Sequence, residues 1–199
     1  LEKEYRYAAE KIEAEEMLRK FYDDAHRAKQ VFVVRPATVT GPRGKYMSGK
    51  KGLLHMLQNV LPFIPVANKN WCRQYVHEDD LTDLVGLLVF NGESGKNGYE
   101  VFNASPADYV FGRDFAGAFN KKTVFVPPML VRAAFFLARH FTRGRVPTGP
   151  GGWRYFSYPI PVRGDKITDY HGFEYAHTSR DALVKDEGRY AYAAERGEG

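Results

Sequence analysis

A tyrosine and a lysine four positions apart are the side chains best suited to chemistry in this sequence of 199 residues. Tyr7 and Lys11 lie in a segment rich in helix-forming residues, and residues four apart on a helix share one face. A phenol is a weak base at neutral pH because its reference pKa is about 10, but a nearby ammonium stabilises the phenolate. The pair can therefore exchange a proton with a substrate hydroxyl.

Spacing alone does not single out this pair. Tyr46 and Lys50 have the same spacing, but they lie in a glycine-rich stretch whose backbone need not hold two side chains together. Tyr7 instead opens a long helix, which leads into a short apolar strand at 31–34 and a Pro/Gly loop at 41–44. Context therefore favours Tyr7 and Lys11.

Alternating helix and strand patterns must position these side chains. Residues 1–29 are strong helix formers without glycine or proline, and residues 31–34 are typical of a parallel strand buried on both faces. Glycine, proline and threonine at 142–152 predict a mobile loop. The further predicted helices are 47–61, 78–90, 113–120, 127–141 and 179–194, and the predicted extended segments are 63–66, 73–76, 99–103, 123–126 and 153–162, with a turn near 171–172. This alternation favours an α/β sheet with helical crossovers.

Composition excludes several classes of protein. With 44% hydrophobic residues, 27% charged residues and a net charge of +5, the chain is neither disordered nor fibrous. No apolar run reaches the roughly 18 residues that span a bilayer. Cys72 is the only cysteine, so no internal disulfide can form and a cytoplasmic location is expected. No sequence pattern places a base beside Cys72, and the six histidines lack the spacing of metal ligands.

Three motifs occur in an informative order. They are Tyr7-x-x-x-Lys11-x-x-x-Glu15, the run VFVVRPATVTGP over 31–42 and the run RQYVHEDDL over 73–81. Together they resemble the extended short-chain dehydrogenase/reductase family, in its NAD-dependent epimerase/dehydratase branch. The resemblance implies an α/β fold: the C-terminal part of a Rossmann-like parallel sheet over 1–105, with interleaved substrate-binding segments, and a small mixed α/β substrate-binding region over 106–199.

The same resemblance implies roles for individual residues. Tyr7 is expected to be the general acid/base, and Lys11 to hold the nicotinamide ribose of NAD or NADP and to stabilise the phenolate. Pro36, Ala37 and Thr38 are expected to lie along the nicotinamide. Without the resemblance, these three residues are equally typical of a turn that ends a strand.

Two further positions bear on the substrate. Arg73 matches a position that reaches the substrate diphosphate in nucleotide-sugar enzymes, although a surface ion pair with Glu78 or Asp79 explains it as well. Thr40 stands where the family often has tyrosine, which predicts a smaller and more polar substrate pocket. Glu78, Asp79 and Asp80 are expected at a helix start, where the helix dipole favours carboxylates.

The sequence also departs from the family by what it lacks. No glycine-rich dinucleotide turn follows a strand, and the family's catalytic serine or threonine would lie upstream of Tyr7. The expectation is that this chain is the C-terminal half of an extended enzyme and that alone it binds NAD poorly.

Two classes of function remain open. The first is an NAD(P)-dependent epimerase, dehydratase or dehydrogenase acting on a carbinol, with a nucleotide-linked sugar favoured and a hydroxysteroid as the alternative substrate. The second is a non-catalytic relative with a regulatory or RNA-binding role. A homodimer through helix 1–29 is expected, with no membrane partner and no metal, and nucleic acid is not the favoured partner.

An arginine cluster near residue 140 has two interpretations. Arg139, Arg143 and Arg145, beside His140 and Phe141, could contact phosphate or an anionic surface. The more economical interpretation is a solvated helix end, because arginine is favoured near a helix C-terminus.

Overall fold

Parallel strand pairs and the helices between them form the framework of the molecule. The computed structural model describes residues 6–24, 30–42, 53–90, 98–143, 151–184 and 187–189. The strands in these ranges are β1 (Val31–Pro36), β2 (Thr38–Thr40), β3 (Phe63–Val66), β4 (Cys72–Arg73), β5 (Tyr75–His77), β6 (Tyr99–Ala104), β7 (Val110–Phe111) and β8 (Lys122–Phe125). The helices are α1 (Arg6–Asp24), α2 (Leu53–His55, continued by a π-helix over Met56–Val60), α3 (Glu78–Phe90), α4 (Gly112–Ala118), α5 (Pro128–Phe141), α6 (Gly152–Ser157), α7 (Lys166–His171) and α8 (Ser179–Val184).

Strand pairing follows the expected α/β plan. β1 pairs in parallel with β6, β2 with β5, and β3 with β8, whereas β4 and β7 are antiparallel. Parallel pairing requires a long crossover, and α3 lies in the crossover from β1 to β6. The predicted α/β class, with parallel strands and helical connections, is therefore confirmed.

One hydrophobic core lies between the β1–β6 pair and the helices α3 and α7. Leu84 and Leu88 of α3 pack with Phe102 of β6, Ile167 of α7 and Phe173. These apolar side chains supply the burial that stabilises the sheet, at about 25 cal/mol per Å² of apolar surface.

A second core joins segments that are far apart in sequence. Trp71 and Tyr75 pack with Phe115 of α4, and the same cluster includes Leu57 and Leu183. Both cores draw residues from each side of residue 105, since Ile167 belongs to the first core and Leu57 to the second. The division into 1–105 and 106–199 stays a prediction.

The carboxylates that begin α3 anchor backbone from later in the chain. Asp80 is buried and accepts hydrogen bonds from the backbone amides of Ala176 and His177, at 3.1 and 3.0 Å. Asp79 accepts one from the amide of Arg189 at 3.0 Å. These residues therefore hold the chain together at the helix start.

The aromatic stretch 153–162 was predicted to be extended, and this prediction is wrong for its first half. Residues Gly152–Ser157 form α6. Long-range hydrogen bonds stabilise the helical turn: the Trp71 indole donates to the carbonyl of Phe156 at 2.8 Å, and the Arg73 guanidinium donates to the carbonyl of Tyr155. Local aromatic content cannot reveal such contacts, which override β propensity.

Other predicted boundaries also shift. The predicted strand 73–76 is split at Gln74, because its carboxamide binds the amide of Val162 and the carbonyl of Pro106. The last helix ends at Val184 within the described residues, and 187–189 are not helical. A short helix, α7, precedes the expected turn, and Gly172 ends it with φ of +65°. β1 is less buried than predicted, since only Val33 among 31–34 is fully buried.

Several predictions fall outside the described residues. They concern the Tyr46–Lys50 pair, most of the predicted loop 142–152, the first part of helix 47–61 and the end of helix 179–194. Among the described helices, none is both long and apolar enough to cross a bilayer.

Two glycines provide a matched test of the packing. A Cβ on Gly164 would lie 1.9 Å from the backbone oxygen of Ser105, whereas a Cβ on Gly86, inside α3, would meet no atom within 4 Å. We expect Gly164→Ala to destabilise the protein by about 2 kcal/mol or more through overpacking. Gly86→Ala should stabilise it by about 0.5–1 kcal/mol, because alanine loses less backbone entropy in a helix. Urea unfolding measures both, and equal stabilities would contradict this packing.

Candidate functional site

A cleft of about 550 Å³ collects side chains from distant parts of the chain. Its walls come from the start of α1, the end of β1 and the turn after it, the β4–β5 junction, β6 and the segment after α6. The lining residues are Tyr7, Arg35, Pro36, Ala37, Thr38, Arg73, Gln74, Asn103, Tyr155, Ile160 and Val162. Five of the residues that the sequence singles out, Tyr7, Pro36, Ala37, Thr38 and Arg73, therefore meet in one place.

Helix α1 presents Tyr7 at the mouth of this cleft. Tyr7 is 60% exposed, and the Lys11 ammonium lies 5.5 Å from the centre of its ring. Leu18 and Tyr22 lie on the more buried side of the helix, and the Tyr22 ring packs against Tyr99 at 5.4 Å. Tyr7 lines the cleft, whereas Lys11 lies beside the Tyr7 ring and is not itself among the lining residues.

An ion pair ties the middle of α1 to the end of β1. The Arg35 guanidinium donates two hydrogen bonds to the Glu15 carboxylate, one from Nε to Oε1 at 2.8 Å and one from Nη2 to Oε2. These bonds lower the pKa of Glu15, and they raise the pKa of Arg35. Because Pro36 directly follows Arg35, the pair fixes α1 relative to the turn 36–38.

The turn 36–38 is held on both sides. The amide of Ala37 donates to the carbonyl of Ala104 at the end of β6, at 2.9 Å. The hydroxyls of Thr38 and Tyr155 are 3.2 Å apart and form a hydrogen bond. The backbone of the turn therefore forms a defined strip along the cleft.

Arg73 forms an unusual part of the wall because it is a buried cation. It is only 3% exposed, and its guanidinium donates to the carbonyls of Cys72, Tyr158 and Tyr155. Burial lowers the pKa of this guanidinium, which nevertheless stays charged. Its Nε atom has no hydrogen-bond partner among the described residues.

The expected alternative for Arg73, an ion pair with Glu78 or Asp79, does not occur among the described residues. The cation instead stacks on aromatic rings, 4.5 Å from the centre of Trp71 and 5.1 Å from that of Tyr155. Cation–π contacts of this kind offset only part of the cost of burying a charge. The wall of the cleft thus carries a positive charge that no described carboxylate neutralises.

Thr40 lies elsewhere. The structure buries it beneath α8, where its hydroxyl donates to the carbonyl of Ala182, and it does not line the cleft. The predicted effect of Thr40 on the substrate pocket therefore has no support in its position. Thr40 is the last residue of β2. Because β2 pairs with β5, and β5 packs against α8, Thr40 lies beneath that helix.

Sequence reasoning missed several lining residues. Gln74 and Asn103 both line the cleft. The side-chain amide of Asn103 is held there by a hydrogen bond to the carbonyl of Arg163, at 3.1 Å. Tyr155 also lines the cleft. No local motif marks these positions, because three-dimensional contacts bring them there.

Two other kinds of chemistry have no support among the described residues. No group of three His, Cys, Asp or Glu side chains is arranged to hold a metal ion in the described ranges. Cys72 is buried, and burial raises the pKa of its thiol, so the reactive thiolate is disfavoured.

Known proteins resemble this chain in structure and not in sequence. No family model matches the sequence, and no curated protein is significantly similar to it. UDP-glucose 4-epimerase from Bifidobacterium longum, solved with NAD+ and UDP, is 15% identical with a TM-score of 0.58, over 97% of this chain and 56% of that one. dTDP-glucose 4,6-dehydratase from Bacillus anthracis str. Ames, solved with NAD, is 17% identical with a TM-score of 0.56, over 96% of this chain and 52% of that one.

The chain shares its fold with NAD-dependent epimerases and dehydratases. A third example is UDP-glucuronic acid 4-epimerase from Bacillus cereus, solved with UDP-glucuronic acid and NAD, which is 14% identical with a TM-score of 0.57, over 96% of this chain and 52% of that one. The chain spans about half the length of these proteins. This epimerase/dehydratase fold confirms the Rossmann-like architecture that the motifs predict.

The Glu15–Arg35 pair gives a testable pH dependence. A carboxylate with a lowered pKa in the folded state stabilises the protein above its unfolded pKa, about 4.3, and this contribution is lost as the pH falls through the folded value. We expect Glu15→Gln to unfold more easily than the wild type near pH 7, by on the order of 0.5–1 kcal/mol for a largely exposed pair.

Urea unfolding at several pH values measures this difference, which should vanish at strongly acidic pH. Asp23→Asn is the control, because it weakens the Arg19–Asp23 pair within α1 and leaves the link to β1 intact. A difference for Glu15→Gln that persists at acidic pH would contradict the assigned ion pair.

Proposed function

We propose that this chain is the C-terminal portion of an NAD(P)-dependent epimerase, dehydratase or dehydrogenase that acts on a secondary alcohol. One observation carries the proposal: Tyr7, the 36–38 turn and the buried Arg73 line a single cleft although they are far apart in sequence. The neighbouring structures, which include complexes with NAD and with UDP, support it through their shared fold.

The residues at the cleft fit one end of a nicotinamide dinucleotide. The Lys11 ammonium and the Tyr7 hydroxyl are suited to the hydroxyls of a ribose, and the fixed backbone of 36–38 offers polar groups to a carboxamide. The glycine-rich turn that holds the diphosphate in such folds does not occur in this sequence. The cleft therefore suits the nicotinamide ribose end of the cofactor.

The chemistry at Tyr7 is a proton transfer. When bound, the nicotinamide would supply a hydride acceptor for the carbinol carbon. Tyr7, as a phenolate, takes the proton from the substrate hydroxyl at its phenol oxygen. Lys11 stabilises that phenolate electrostatically, because its ammonium is next to the ring. In an epimerase, Tyr7 would return the proton to the oxygen when the carbonyl is reduced again.

Arg73 favours an anionic substrate group. A buried guanidinium with an unpartnered Nε gains most from an acceptor of negative charge, and a diphosphate matches its planar array of donors. A hydroxysteroid would leave that charge without a counter-ion. A nucleotide-linked sugar is therefore the substrate class that best explains the wall of this cleft.

The proposed dimer also rests on α1. Met17 and Phe21 are exposed on this helix although they are large and apolar. Such side chains are suited to contact a second copy of the chain, as expected for a homodimer that uses the tyrosine-bearing helix.

A tyrosine elsewhere in the chain provides a matched control for the catalytic proposal. The Lys166 ammonium lies 5.4 Å from the ring centre of Tyr170, almost the same geometry as for Lys11 and Tyr7, but this pair is on α7 and does not line the cleft. In the natural protein that contains this chain, we expect Tyr7→Phe to lower kcat by about 10²–10⁴. Tyr170→Phe should leave kcat unchanged.

Turnover of UDP-glucose with NAD or NADP, followed by absorbance of the reduced cofactor or by chromatography of the sugar, measures the effect. Cofactor binding should fall far less than turnover in Tyr7→Phe, because Lys11 and the 36–38 turn remain in place. If both variants keep wild-type turnover, Tyr7 is not the acid/base and the proposal is wrong.

A further inference from the structure

Helix α5 is a surface helix with an apolar outer face. None of its 14 residues is fully buried. Met129, Leu130, Phe136, Leu137 and Phe141 are each at least half exposed, and Phe141 reaches 78%. A cluster of large apolar side chains on one exposed helix marks an interaction surface. The sequence favours a solvated helix end at residues 139–145, and that interpretation does not explain the exposed apolar face.

All the charged residues in the sequence around this helix are basic. Between Asp114 and Asp165 there is no aspartate or glutamate. The lysines and arginines in this interval are Lys121, Lys122, Arg132, Arg139, Arg143, Arg145, Arg154 and Arg163. A block of one sign next to an amphipathic helix indicates an anionic partner.

In the part of the chain that the structure describes, the arginines of α5 and its end have no acidic partner that would compete with an anion, and the Arg132 guanidinium lies 5.8 Å from the ring centre of Trp153. Arg132, Arg139 and Arg143 form no ion pair with a carboxylate among the described residues. Arg132 and Arg139 are seven positions apart, so they follow one another along the same side of the helix. Their long stems can lie along apolar surface while the guanidinium groups reach towards phosphates.

We propose that α5 lies flat on the surface of an anionic phospholipid bilayer. Its exposed apolar side chains enter the boundary between headgroups and acyl chains, and the line of arginines along its side binds lipid phosphates. With 14 residues, α5 is too short to span a bilayer, which requires about 20. The binding is therefore interfacial, and it does not depend on the function proposed for the cleft.

A bilayer explains the composition better than two other anionic or apolar partners. RNA is bound through aromatic rings that stack on bases, but Met129, Leu130 and Leu137 cannot stack. A second copy related by two-fold symmetry would place α5 against itself, and the arginines of both copies would then meet with no acidic residue of this interval to pair with them.

Vesicle flotation with the natural protein tests the proposal. The probes are vesicles of pure phosphatidylcholine and vesicles of phosphatidylcholine and phosphatidylserine in a three-to-one ratio. The wild type should float with the anionic vesicles, and salt should weaken this binding. Replacing both Arg132 and Arg139 by glutamine should lower the affinity about twenty-five-fold, at about fivefold for each cation. Phe136→Ser should lower it about tenfold, through the lost apolar burial.

Two control variants remove similar groups from other surfaces. Val89→Ser changes an apolar side chain of α3 that is 67% exposed, close to the exposure of Phe136, and Lys20→Gln removes a charge from α1. Neither should alter flotation. The proposal is overturned if the anionic vesicles do not bind the wild type, or if the control variants lose as much affinity as those in α5.

The competing partners give different results. Binding of a single-stranded RNA oligonucleotide that Arg132→Gln abolishes, without flotation, would identify a nucleic-acid surface instead. Dimers that Phe136→Ser dissociates in analytical ultracentrifugation, again without flotation, would identify an interface between copies.

Discussion

The buried guanidinium of Arg73 is the constraint on which the cleft depends. It binds the carbonyls of Cys72, Tyr155 and Tyr158, so one side chain connects β4 with the end of α6. These hydrogen bonds offset part of the cost of burying the charge. The same contacts place the Tyr155 hydroxyl against Thr38 and leave the positive charge facing the cleft. The same side chain therefore shapes the cleft and supplies the positive charge on which the proposed substrate class depends.

The second requirement is that α1 is held at a fixed position along β1, so that Tyr7 lies beside the turn 36–38. Helical spacing alone brings Lys11 next to Tyr7, but the Glu15–Arg35 pair sets the position of that helix against β1. A hydrogen bond from the amide of Ala37 to the carbonyl of Ala104 fixes the 36–38 segment to β6. The Tyr7–Lys11 pair thus depends on local helical periodicity, and its alignment with the rest of the cleft depends on contacts between elements.

This difference explains what could be predicted from the sequence. The helix 78–90 and the strand 99–103 were predicted closely because their apolar periodicity reflects the core in which they pack. The helix at 152–157 was missed because hydrogen bonds from Trp71 and Arg73 determine it. Contacts between distant segments also place Gln74 and Asn103 in the cleft, so no local pattern predicts them. Thr40 is expected in the substrate pocket from the sequence, but the pairing of β2 places it beneath α8.

Calorimetric titration of NAD+ and NADP+ into the natural protein tests the central claim most directly, that this cleft holds the nicotinamide ribose. We expect one of the two cofactors to saturate the protein and Lys11→Met to weaken its affinity about tenfold or more, as expected when a charged donor is lost. Lys20→Met, on the same helix and away from the cleft, should bind like the wild type. The absence of binding by either cofactor, or an unchanged affinity in Lys11→Met, would contradict the account.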